Sequence, residues 1–209
     1  MKPGTGVETA AERQKLLELL VECEHRFVID PKDVLNRSYL RSYGEFLRYF
    51  AELSVMEPHN TLIAANFTFA WMPTIARLEV GRVDEATEIL NHIKAGMLID
   101  FERFRVIQKF MGNSTVAASK LLHFASPSHY AIWDGKVQRF LRMSGLSYPW
   151  DSNRPDSYLR FLDLCRLLAA EPGVELIRQS LAKKFGHTIT SYRAIEFTMF
   201  SARAIAPDA

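Results

Sequence analysis

The sequence predicts an all-α fold, and three observations predict it. Apolar residues recur at spacings of three and four along most of the chain, which lines one face of a helix. No stretch sustains the alternation of polar and apolar residues that a half-buried strand needs, and no β-branched run occurs. Capping residues and glycine stops recur at intervals of about one helix length. The expected architecture is an irregular globular domain of about eight to ten helices. It spans residues 1–209 as one unit, with room for two helical lobes around a cleft. A hydrophobic share of 48% and 14 Phe supply a sizeable core.

Residues 1–7 carry Pro3, Gly4 and Gly6 and read as a flexible tail. Thr9 and Glu12 form a capping-box pattern ahead of a helix with Leu16, Leu17, Leu19, Leu20 and Cys23 on its apolar stripe. A second helix, capped by Asn36 or Ser38, has an aromatic face of Tyr39, Tyr43, Phe46, Leu47 and Phe50. Residues 57–60 read as a break. The third helix, over 61–78, is apolar nearly all round and is expected to be the most buried, with a kink at Pro73. Gly81 marks a turn. Residues 84–95 form a fourth helix with Ala86, Ile89, Leu90 and Ile93 inward and Gly96 past its end. Asp100 caps a fifth, which Gly112 ends. A helix–turn–helix follows over 113–141, then a loop with Pro149, Trp150 and Pro155. The last three helices cover 157–170, 174–185 and the stretch after Thr190, with Ile195, Met199 and Ala202 inward. The final residues, 206–209, should fray.

Composition excludes several classes. Net charge is +2, which neither demands nor forbids a polyanionic partner. Cys23 and Cys165 lie far apart and read as reduced, buried thiols. No CxxC or HExxH pattern occurs and the His residues do not cluster, so neither a metal nor a cofactor is expected. The N-terminus lacks an apolar signal core and no apolar run is long enough to span a bilayer. The expectation is a cytoplasmic protein with no membrane partner.

Chemistry concentrates in residues 113–141. The first helix there carries Ser119, Lys120 and His123 among apolar neighbours, and Asp134 opens the second after the run Tyr130, Ala131, Ile132, Trp133. A lysine in apolar surroundings has a lowered pKa, and its neutral amine is a nucleophile toward carbonyl-type carbons. An aspartate at a helix start accepts amide protons and can offset a nearby cation. Each residue also has a plain reading. Lys120 would then run its stem along the helix to water, and Asp134 would only cap.

The order of these residues resembles the helix-hairpin-helix DNA glycosylase superfamily, in particular its 8-oxoguanine glycosylase-type fold. Ala118-Ser119-Lys120-Leu121-Leu122 is similar to the family's catalytic-lysine segment. Ile132-Trp133-Asp134-Gly135-Lys136-Val137 is similar to its V-D-x-H-V segment, with Lys136 where the family has His. The family's hairpin is glycine-rich. The corresponding Thr115-Val116-Ala117-Ala118 has no glycine, Gly112 comes too early, and the interval from Lys120 to Asp134 is short by a helical turn. The resemblance implies a base-excision repair protein acting on double-stranded DNA, with Lys120 attacking the sugar carbon and Asp134 assisting. Trp71, His123, Tyr130, Trp133 and Trp150 are then the candidates to hold an extruded base, and His129, Lys136, Arg139 and Arg142 the candidates to touch phosphates. For the rings the plain reading is core packing; for the basic residues it is a solvated helix face. Two alternatives stay open: a nucleic-acid-binding module that keeps the fold without the chemistry, and a helical interaction domain in which Lys120 and Asp134 form a structural ion pair.

Overall fold

The structure, a computed structural model, describes residues 9–28, 34–71 and 74–202, with only the backbone of 34–39. The predicted tail, the expected break at Pro73 and the fraying end lie outside the described residues. The chain is all-α, with ten α-helices among the described residues: α1 Ala10–Arg26, α2 Val34–Glu52, α3 Pro58–Trp71, α4 Val83–Lys94, α5 Phe101–Phe110, α6 Thr115–Ala125, α7 Gly135–Met143, α8 Pro155–Ala169, α9 Pro172–Phe185 and α10 Ser191–Ser201.

Local chemistry sets the boundaries. Thr9 and Glu12 complete the capping box of α1. Asp100, Ser114, Asp134 and Thr190 each accept an amide proton at the start of α5, α6, α7 and α10. Residues 57–60, expected as a break, contain the start of α3. Pro58, Pro155 and Pro172 each begin a helix, because the first helical amide has no partner to lose and the ring presets φ.

Two helices sit at the centre. α6 packs against α2, α3, α4, α5 and α8, and α10 against α1, α7, α8 and α9. Buried apolar residues from both groups form one contiguous cluster. α3 is not the most buried helix, although its sequence is the most uniformly apolar. Ile63 is 39% and Phe67 41% exposed. α3 packs chiefly on α4 and α6, with Phe46 and Tyr49 of α2 against its Phe67. Position in the bundle decides burial, and α6, buried at nine of its eleven residues, takes the place expected for α3.

Residues 115–118, aligned with the family's hairpin in the sequence, are the first turn of α6, and residues 111–114 form the turn that joins α5 to α6. Gly112 and Asn113 have φ of 66° and 62°, two successive left-handed residues. A Cβ on Gly112 would stand 2.2 Å from the Arg77 carbonyl oxygen. Gly112→Ala is expected to destabilise the fold by about 2–3 kcal/mol, the sum of left-handed strain and a backbone shift. Urea unfolding checks this, and an unchanged midpoint would refute the close approach.

Candidate functional site

The connector between α6 and α7 carries the site. The amide of Trp133 donates to Ser119 Oγ at 3.0 Å, and that hydroxyl lies 2.8 Å from the Val116 carbonyl and 3.2 Å from the Trp133 carbonyl. Tyr158 donates its hydroxyl to the Ala131 carbonyl at 3.3 Å. Tyr130 Oη donates to the Met97 carbonyl at 2.8 Å and accepts from the Ile99 amide at 2.9 Å. The chain is thus pinned residue by residue. Because Ser119 clasps Trp133, the next residue on each side of the clasp, Lys120 and Asp134, is carried to the same region.

Asp134 caps α7 through one oxygen. Oδ1 accepts from the amides of Lys136 at 2.8 Å and Val137 at 3.1 Å. Lys120 is half-buried, with Nζ 5.3 Å from the centroid of the Trp71 ring. Burial lowers the proton affinity of its amine; Asp134 and Glu196 work against that shift and Arg193 reinforces it. Lys120 makes no ion pair with a carboxylate among the described residues.

His123 is completely buried, which settles its protonation. Nδ1 lies 2.6 Å from the Tyr130 carbonyl, which can only accept, so Nδ1 carries the hydrogen. Nε2 then accepts from the Tyr43 hydroxyl at 2.8 Å. Burial first, then the Arg193 guanidinium, push the imidazole down to about 3.

The expected base-holding rings separate into two kinds. His123, Tyr130, Trp133 and Trp150 are covered, and their faces are occupied by protein. Trp133 lies 5.0 Å from Phe161 and 6.0 Å from Trp150, centroid to centroid. In this conformation these four are packing and positioning groups, with no face open to a base. Trp71 alone is partly exposed, against Phe124 at 5.2 Å.

The expected phosphate contacts also divide. Lys136, Arg139 and Arg142 line an open depression of about 530 Å³ with Asp134, Gly135 and Gln138. Arg142 Nε and Gln138 Nε2 each donate to the Trp150 carbonyl at 2.9 Å, and Lys136 Nζ stands 4.3 Å from the Phe200 ring centroid. None of the three cations meets a carboxylate among the described residues. His129 is elsewhere, in a smaller hollow of about 240 Å³ beside Tyr130, Asp163 and Arg166. Asp134 lines the basic depression and Lys120 does not.

The sequence reading missed Tyr43, Arg193 and Glu196 as parts of this region. Arg193 and Glu196 form an ion pair on α10, each 1% exposed at the side chain, and the guanidinium lies 4.6 Å from the Tyr43 ring centroid. A usable signal existed. Two opposite charges three apart inside the apolar run Tyr192 to Phe200 mark a buried pair rather than a wet face. Among the described residues no three His, Cys, Asp or Glu side chains gather as a metal site, and no helix is long and apolar enough to cross a membrane. No protein family, no characterised protein and no solved structure matches the chain.

Proposed function

We propose that the chain is a double-stranded-DNA-binding protein of the base-excision-repair kind, related in plan to the helix-hairpin-helix glycosylases, with Lys120 as nucleophile and Asp134 as its charge partner. One observation carries the reading. A half-buried amine, with its proton affinity lowered by burial, feels the charge of an aspartate that also lines a basic depression. On this reading Lys136, Arg139 and Arg142 neutralise backbone phosphates. The neutral amine attacks the sugar carbon, the bond to the base breaks, and Asp134 offsets the positive charge that develops.

Borohydride trapping on duplexes containing an abasic site or an oxidised base tests this. Wild type should give a covalent adduct and Lys120→Gln none, with helix content kept because glutamine is a good helix former. Absence of trapping on every duplex would refute the lysine chemistry. Replacing Lys136, Arg139 and Arg142 together by alanine should weaken duplex binding and flatten its salt dependence by about 0.9 log units for each phosphate no longer neutralised.

A second reading has its own support: Lys120 does not line the depression, and four of the five expected rings are covered. A duplex-binding domain without chemistry would show the salt slope and no adduct.

A further inference from the structure

Lys120 and Trp71 meet where α3 packs on α6. Lys120 Nζ stands over the indole, 5.3 Å from its centroid, inside the range in which a ring face attracts a cation. The indole itself is wedged. Phe124 meets it at 5.2 Å and 75°, Phe46 at 6.3 Å and 83°, and Tyr43 at 6.3 Å and 32°. Phe124 follows Lys120 by one turn of α6, and Tyr43 and Phe46 lie on α2. Rings from two helices therefore fix the plane of Trp71, whereas the Lys120 ammonium ends a flexible four-carbon stem. When the contact opens, the lysine is the partner that moves. Trp71 is also the one tryptophan with exposed surface, since Trp133 and Trp150 are both 0% exposed. The indole that a planar ligand can reach thus already carries the amine.

Resting on the reading of Lys120 as a nucleophile, we propose that Trp71 is a shared platform: its face holds the Lys120 ammonium in the free protein and takes the extruded base in the complex, so that docking of the base lifts the amine off the ring. One ring face has room for one occupant. A base covers it with a whole π-face, whereas the ammonium makes a point contact and regains its strong hydration on leaving. Seating the base and freeing the amine are then a single event. Without a base on Trp71 the amine stays on the ring, away from any sugar carbon.

The test uses two duplexes that differ at one position, one fully paired and one with a single mismatch, where a base is extruded at least cost. The ratio of their dissociation constants reads the seated base, because the phosphate contacts are common to both and cancel. Lys120→Met keeps the stem and the helix propensity but not the charge. In that variant the ratio should grow by about two- to thirtyfold in favour of the mismatched duplex, the worth of the cation–π contact the base no longer has to displace. In Trp71→Leu the preference should be lost. Trp71→Phe keeps a ring in the wedge and should retain part of it. Tryptophan fluorescence of the wild type should be quenched more by the mismatched duplex than by the paired one. An unchanged or smaller ratio in Lys120→Met, with both duplexes still bound, would overturn the exchange; a merely structural contact gives that result. A full preference kept in both Trp71 variants would overturn it as well. If the ratio grows but no duplex is ever trapped with borohydride, the nucleophile reading fails and the shared face stands. Trapping with an unchanged ratio has the opposite meaning. A wild type that binds neither duplex would end both.

Discussion

Trp133→Ala is expected to lower stability by about 3–5 kcal/mol, the largest effect of any single truncation near the site. The ring is fully buried among Phe161, Trp150 and the wall of α6, and its Nε1 donates to the Ser152 carbonyl at 3.2 Å. Removing it empties a cavity between α6 and α8 and frees one hydrogen bond. For a chain of this size each kcal/mol moves the melting temperature by about 2–4 °C, so a fall of roughly 10 °C is expected. Trp71→Ala should cost less, because that residue is only partly buried. Thermal unfolding of both variants settles the ranking; equal losses would mean that Trp133 is not the anchor of the connector. The backbone bond from Trp133 to Ser119 survives the substitution, so the clasp loosens rather than disappears.

The second large effect is on pH dependence. His123 is held down at about 3 against an ordinary value of 6.5. The folded state therefore binds its proton less readily than the unfolded chain, and the stability this histidine supplies is present above pH 6.5 and lost as pH falls toward 3. Glu196 runs the other way. Its value is raised from 4.5 to about 7, so its contribution is complete below pH 4.5 and lost as pH rises through 7. Between 4.5 and 6.5 the two slopes oppose each other and stability should be nearly flat. Below 4.5 only the histidine loss continues, joined by Glu175, which Arg178 and Gln179 hold down at about 2. The His123 and Glu196 slopes, fully expressed, are each worth about 1.4 kcal/mol per pH unit. In His123→Gln the flat stretch between 4.5 and 6.5 should become a slope, with stability rising as pH falls, because Glu196 acts alone. Urea midpoints at several pH values check this; a wild-type slope retained in the variant would show that His123 is not the acid-sensitive group.

Much of the fold was legible because it depends on local chemistry. The capping box at Thr9, the Asp100, Asp134 and Thr190 caps, the inward face of α4 and the glycine stops are all written within one or two turns of chain. What depends on neighbours was not legible. The apolar content of α3 predicts burial, but only the bundle decides that α6 and α10 have helices on every side. The residues aligned with the family's hairpin, 115–118, are helical because Ser114 caps α6 just ahead of them. At the site, the apolar setting of Lys120 and the capping by Asp134 were readable from the chain. The clasp through Ser119 was not, since a serine inside a helix carries no mark of a tertiary partner. The four covered rings show the same limit: an aromatic residue next to a motif looks identical whether it faces a ligand or the core.

α1 packs on α9 and α10, and its Glu24 takes a bond from Ser180 at 2.6 Å and an ion pair from Lys184 at 2.5 Å. These partners lie more than a hundred and fifty residues further along the chain. During synthesis α1 leaves the ribosome first, and its apolar face has nothing to cover it until α9 and α10 follow. Helices α3 to α6, in which consecutive helices pack on one another, can assemble meanwhile. The nascent chain therefore passes through a stage with one half built and one amphipathic helix waiting, the stage most exposed to aggregation and to chaperone capture.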